Sequence, residues 1–211
     1  MLTFPDLRRQ LAAALAGPLP GATAHARMAP QPRGGWPAGY SPEHLRHAAG
    51  LILVFPIGDE PHLVLTVRST RVRHAGQVSL PGGVIEPGES AEDAALREAR
   101  EEIACPSEQL DVLGRLTPVD IPVSGFRLHP VVALTHAPPP LSPSDAEVAR
   151  ILEVPISGLL APSSRTEQPM QRGALLLDVP VFRVDDVVIW GATAMVLAEL
   201  LTLLGWKDER S

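Results

Sequence analysis

Gly83-Val84-Ile85-Glu86-Pro87-Gly88-Glu89-Ser90-Ala91-Glu92-Asp93-Ala94-Ala95-Leu96-Arg97-Glu98-Ala99-Arg100-Glu101-Glu102-Ile103-Ala104-Cys105 is the stretch on which the reading of this chain turns. From Glu89 to Ile103 it is rich in Ala and Glu, holds no Gly or Pro, and is followed by Pro106. That pattern predicts a helix, with Ser90 as an alternative cap because Asp93 follows three residues on. On such a helix Glu98, Glu101 and Glu102 stand at i, i+3 and i+4 and share one face. Like charges at that spacing repel by tenths of a kcal/mol on an open surface. The repulsion grows where water is displaced. A hard divalent cation would relieve it, and three carboxylates suit Mg²⁺ or Mn²⁺. The alternative is a solvated acidic face paired with Arg97 and Arg100. Gly82-Gly83 just upstream allows close backbone approach, so a glycine carbonyl could join the carboxylates as a ligand.

Around this stretch the chain alternates strands and helices. Leu51–Phe55 and His62–Val67, separated by the turn residues 57–61, read as a hairpin. Val112–Leu116, Leu128–Leu134, Val148–Val154 and Ala174–Leu177 read as further strands, and Val187–Trp190 as a short apolar segment. Residues 118–125 and the Pro-rich 137–143 read as loops, and Ala192–Leu204 as a buried closing helix. Near the start, Leu7, Leu11 and Leu15 recur every four residues after Pro5, the pattern of an amphipathic helix. Residues 17–43 are rich in Pro, Gly and Ala and read as an irregular arm. The expectation is a layered α/β domain over 44–211, preceded by a helix and arm over 1–43.

Composition narrows the function. The chain has 211 residues, 23 prolines and a net charge of −6. The charge argues against nucleic-acid polymers and anionic membranes as partners. No apolar run is long enough to span a bilayer. Arg8-Arg9 before Leu11–Ala16 resembles a signal peptide only faintly, since Asp6 lies in its n-region, so the protein reads as cytoplasmic. The single cysteine, Cys105, excludes a disulfide framework and reads as a core thiol. His44 and His47 read as a surface pair. The stripe Met195, Val196, Leu200, Leu203 reads as core or as the contact of a homodimer. Of 18 basic residues only Lys207 is a lysine. The Arg68, Arg71, Arg73, His74 cluster could grip an anionic ligand or be a solvated basic turn.

The opening stretch resembles the Nudix box: Gly, five residues, Glu, seven residues, Arg-Glu, an aliphatic, any residue, Glu-Glu, any residue, Gly, an aliphatic. Gly83, Glu89, Arg97, Glu98, Glu101 and Glu102 fit it; Ala104 replaces the usual Gly, and Ala99 and Cys105 fill aliphatic places. The resemblance implies a Nudix fold, an α/β/α sandwich with a mixed central sheet, and hydrolysis of a nucleoside diphosphate linked to another group. It implies that Glu98, Glu101 and Glu102, with the Gly82 carbonyl, hold Mg²⁺ or Mn²⁺, and that Glu89 and Arg97 brace the loop against the helix. The base that takes the proton from attacking water would be a box glutamate, Glu98 or Glu101, or a downstream one, Glu147, whose other reading is an ordinary surface residue.

Leu65, Thr66, Arg68, Ser69, Gly76, Pro81, Gly82 and Gly83 further resemble the signature of the coenzyme A pyrophosphatase branch of that family. Leu80 stands where an aromatic is usual, and the stretch from Ser69 to Gly76 is one residue short. Ser124-Gly125-Phe126 and His129-Pro130 also resemble this branch. The branch implies a coenzyme A-like substrate, contacted by Arg68, Arg71, Arg73, His74, Gly76, Gln77, Ser124 and Phe126. Other nucleotides (ADP-ribose, a dinucleotide, a nucleoside triphosphate) and a non-catalytic nucleotide sensor are the alternatives.

Overall fold

The structure is a computed structural model that describes residues 2–31, 41–70, 76–144, 147–172 and 175–207. Along the chain run α1 (Phe4–Leu15), α2 (Ala22–Ala26), β1 (Arg46–Ile57), β2 (Glu60–Arg68), β3 (Val78–Ser79), β4 (Gly82–Val84) and α3 (Ala91–Ile103). Then come β5 (Asp111–Arg115), β6 (Val119–Ile121), β7 (Phe126–Leu134), β8 (Val148–Pro155), α4 (Ile156–Leu160), β9 (Arg165–Arg172), β10 (Leu175–Val184), β11 (Val187–Ile189) and α5 (Gly191–Leu203).

The main sheet has the order β3-β2-β1-β7-β5, with β4 also paired to β1, β6 to β7 and β8 to β2. The β1–β7 pairing is parallel and the other described pairings are antiparallel, so the sheet is mixed. Strand alternation divides the core in two. Leu51, Leu53 and Phe55 of β1, with Val131 and Ala133 of β7, face α3. Ile52 and Val54, with Val132 and Leu134, face the opposite layer, built from α1, α4, α5 and the small β11-β10-β9 sheet. The expected α/β/α sandwich is what forms. Every residue of α5 from Thr193 to Leu201 is buried, and Met195, Val196 and Leu200 are core of this same chain.

Several boundaries differ from the sequence pattern. The hairpin strands are longer than their apolar runs. The loop read over 118–125 contains β6, and β9 was not anticipated because its residues, Arg165-Thr166-Glu167-Gln168-Pro169-Met170-Gln171-Arg172, are mostly polar. The stretch after α1 is also more ordered than an irregular arm. It carries α2, buries Met28 and Ala29, and bridges to the small sheet through Gln31 and Asp178.

What pins that stretch is a buried carboxylate. Glu199 of α5 is fully buried. Its Oε1 accepts from the Gly21 N–H (2.9 Å) and the Thr117 hydroxyl (2.7 Å). Its Oε2 accepts from the Thr117 N–H (3.1 Å) and lies 2.9 Å from His25 Nε2. Burial alone would push the Glu199 carboxyl up, but the bonds from His25, Thr117 and Gly21 outweigh it and hold it below the usual range. A carboxylate lowered in the folded state stabilises above its unfolded value, and the contribution fades as pH falls through the folded one. Glu199→Gln should therefore lose about 3 kcal/mol at pH 7. In urea titrations at successively lower pH the two stability curves should converge.

Candidate active site

The site grows from a close approach between β4 and α3. Gly82 faces Gly50 across the β1–β4 pairing. A Cβ on Gly82 would lie 2.2 Å from the Ala49 carbonyl oxygen and 2.7 Å from Gly50 Cα. A Cβ on Gly83 would lie 2.4 Å from the Glu98 carboxylate. Gly82 is thus required by the close passage of β4 over β1, and Gly83 leaves room for the Glu98 carboxylate beside the strand. Ser90 caps α3, accepting from the Asp93 N–H at 3.0 Å, so the helix starts at Ala91 and Glu89 stays in the loop. At the other end Ala104 adopts the left-handed conformation (φ 52°, ψ 31°) in which helices favour glycine. The helix thus ends as the motif requires, at a cost of about 1–2 kcal/mol for the alanine.

Arg97 ties the loop to the helix. It donates to both oxygens of Glu89 (2.9 and 3.0 Å), to the Val84 carbonyl (3.0 Å) and to Glu98 Oε1 (2.9 Å), with Glu101 Oε2 at 3.4 Å. This bonding to Glu89 lowers the Glu89 carboxyl and raises the Arg97 guanidinium, so both stay charged. Arg97 thereby links the loop that carries Glu89 to the helix.

Glu98, Glu101, Glu102, Ser144 and Glu147 line one open cavity of about 120 Å³. Glu101 is half-exposed, whereas Glu102 is buried and accepts from the Gly82 N–H at 3.0 Å. Burial pushes Glu102 up to about 7; the Gly82 N–H opposes this, Glu98 and Glu147 add to it, and Arg68 pulls it back. Burial also raises Glu98, with Arg97 opposing and Glu101 and Glu147 adding. The loop before β8 docks on the end of α3, where the Ser142 and Ser144 N–H groups donate to the carbonyls of Ile103 (3.0 Å) and Glu102 (2.7 Å). Those carbonyls lack helical partners, so the helix terminus itself recruits the loop carrying Ser144.

The donor set is all hard oxygen, and the like charges raise one another, which is chemistry a divalent cation fits. As they stand, no three His, Cys, Asp or Glu side chains among the described residues converge tightly enough to hold an ion. Glu98 is drawn to Arg97 and Glu102 to the Gly82 N–H, so side-chain rotation would have to complete a coordination shell.

Of the other residues expected to bind substrate, Arg68 ends β2, does not line the cavity, and acts on Glu102 electrostatically. Gly76 and Gln77 pair with the Arg68 backbone instead of lining it. Ser124 and Phe126 sit at the start of β7, where Arg46 stacks over the Phe126 ring at 4.8 Å; neither lines the cavity. Arg71, Arg73 and His74 lie outside the described residues. Ser144 was missed by sequence reading, which had no signal for it inside a Ser/Pro loop. His44 and His47 are both at the surface: His44 meets Ser41, and His47 Nδ1 lies 2.8 Å from His129 Nε2. Burial pushes the Cys105 thiol up to about 11, consistent with an inert core position.

Comparison with known proteins agrees with this geometry. The NUDIX domain model matches residues 44–167. The protein named uncharacterized Nudix hydrolase NudL from Pectobacterium atrosepticum is 36% identical over 166 residues, spanning 78% of this chain and 86% of its own. Its namesake from Photorhabdus laumondii is 40% identical over 157 residues, 74% and 83% of the two chains. The crystal structure of a Nudix hydrolase from M. smegmatis, RenU, shares the fold with a TM-score of 0.52 at 23% identity, covering 76% of this chain and 84% of that one. The chain belongs to the Nudix hydrolase family. It is an enzyme of the class that hydrolyses nucleotide-linked diphosphates with the help of divalent cations.

The two glycines should fail differently. Gly82→Ala meets backbone and should lower the melting temperature by several degrees. Gly83→Ala meets only the Glu98 side chain. It should leave melting nearly unchanged and cut turnover by about 10²-fold, because small displacements of a reacting constellation are costly.

Proposed function

We propose that this protein hydrolyses the diphosphate of coenzyme A or a derivative to 3′,5′-ADP and a 4′-phosphopantetheine product. The observation that carries the hydrolytic reading is the one cavity shared by Glu98, Glu101, Glu102 and Glu147. Glu98, Glu101 and Glu102, with the Gly82 carbonyl, would hold Mg²⁺ or Mn²⁺. When bound, the cation supplies neutralisation of the phosphate oxygens and a more acidic water. The remaining work falls to the chain. Arg97 holds Glu98 and Glu89 in place. Glu147, apart from the helix and on the cavity wall, takes the proton at its carboxylate as water attacks phosphorus.

The coenzyme A part of the reading rests on the run Leu65-Thr66-x-Arg68-Ser69 with Gly76 and Pro81-Gly82-Gly83. Arg68, with Arg71, Arg73 and His74 next along the sequence, would supply cations for the 3′-phosphate that distinguishes this ligand. Leu80 and the shortened 69–76 stretch favour a second reading, a Nudix hydrolase of another nucleotide. No helix among the described residues is long and apolar enough to cross a membrane, and the proposed setting is the cytoplasm.

The test is a substrate panel with Mg²⁺ and Mn²⁺ and product analysis. Release of 3′,5′-ADP from coenzyme A is expected. Turnover confined to ADP-ribose, dinucleotides or triphosphates would reject the coenzyme A reading, and nucleotide binding without turnover would point to a sensor. Glu101→Gln should slow turnover at least ~10²-fold while circular dichroism and melting stay unchanged. Near-normal rates in that variant would remove Glu101 from the ligand set.

A further inference from the structure

Strands β2 and β8 pair regularly from His62 opposite Pro155 to Val67 opposite Arg150, and the next pair is Arg68 opposite Val148. Ala149 is therefore an extra residue on β8, a β-bulge. Its effect shows in the core. Leu152 and Val154 face the α1/α5 layer. Unbroken alternation would send Val148 the same way, yet Val148 packs on the α3 side. The bulge thus turns the start of β8 toward α3, and Glu147 comes next.

Three backbone bonds then hold Glu147 between two parts of the site. The Ser69 N–H donates to the Glu147 carbonyl (2.8 Å), the Glu147 N–H to the Ser144 carbonyl (3.2 Å), and the Ser144 N–H to the Glu102 carbonyl (2.7 Å). Ser69 is buried, so its bond is sheltered from competing water. On its other flank the Arg68 N–H donates to Gln77 and the Gly76 N–H to the Arg68 carbonyl, closing the base of the arginine-bearing segment. Ser69 is the junction at which that segment and Glu147 meet.

The geometry points to Ser69 as a positioning residue: its main-chain N–H, together with the bulge at Ala149, fixes where the Glu147 carboxylate stands over Glu98, Glu101 and Glu102. The inference rests on the reading of Glu147 as proton acceptor. It couples the stretch that begins at Arg68 to the chemical step through the backbone, without Ser69 touching substrate.

Ser69→Pro removes the N–H, and Arg68 before it is already extended, as a residue preceding proline prefers. Ser69→Ala keeps the N–H and reports the side chain. Assays use whichever of coenzyme A, ADP-ribose and a dinucleoside polyphosphate the wild type turns over. Ser69→Pro should lower kcat at least ~10-fold below Ser69→Ala, with KM changed by less than about threefold. Mn²⁺ affinity, read from free-ion electron paramagnetic resonance, should be unchanged. The double variant Ser69→Pro/Glu147→Gln should be no slower than Glu147→Gln alone, because the two act as one unit. Losses that multiply, a loss carried by KM or by Mn²⁺ affinity, or equal behaviour of Ser69→Pro and Ser69→Ala would overturn the inference. If circular dichroism shows Ser69→Pro unfolded, deletion of Ala149 is held to the same four criteria. Wild-type turnover by Glu147→Gln alone would instead bring down the role of Glu147 itself, a different failure with a different signature.

Discussion

The approach of Gly82 and Gly83 to helix α3 is the constraint on which the rest of the site depends. β4 lies against β1 with Gly82 opposite Gly50, too close for a Cβ on Gly82, and Gly83 leaves the space beside α3 to the Glu98 carboxylate. In that space the Gly82 N–H reaches the Glu102 carboxylate, and the Glu98 carboxylate occupies the volume a Cβ on Gly83 would fill. The strand thereby supplies a fixed polar edge, the helix a row of carboxylates, and neither position depends on a flexible loop. The remainder of the sandwich holds these two elements at that separation: the β1 face of Leu51, Leu53 and Phe55 beneath α3, and Ile52 and Val54 anchored on the opposite layer.

Keeping acidic groups so close has an electrostatic consequence. Arg97 compensates the outer part of the cluster, Glu89 and Glu98, whereas Glu102 is buried and, among the described residues, accepts from the Gly82 N–H, with Arg68 opposing its rise electrostatically. Above neutral pH this is a charge the fold would be more stable without. A packed apolar residue there would suit stability better. The arrangement makes physical sense for a molecule whose working form includes cations, and little sense for a scaffold.

Much of this was legible because local chemistry dictated it. The box fixed helix, glycines, brace and carboxylates at once, since each is required by its neighbour's position in sequence. The α1 stripe was legible too: Leu7 and Leu11 are fully buried. What escaped were features set by distant contacts. Polar β9 is a strand because β10 offers it a ladder, and α2 is held by Glu199, some 170 positions away in sequence. Ser124 and Phe126 matched a signature, yet neither lines the carboxylate cavity; Phe126 pairs opposite Arg46 at the start of β7.

Ala104 shows the same principle from the other side. The motif position is usually glycine, and alanine brings a Cβ to it. The backbone takes the left-handed turn regardless. The cause is packing on the far side of the turn: Cys105 is buried under the sheet, and the loop carrying Ser142 and Ser144 closes on the last carbonyls of α3. Those contacts outweigh a strain of about 1–2 kcal/mol. A motif position can therefore depart from its usual residue where surrounding packing over-determines the backbone.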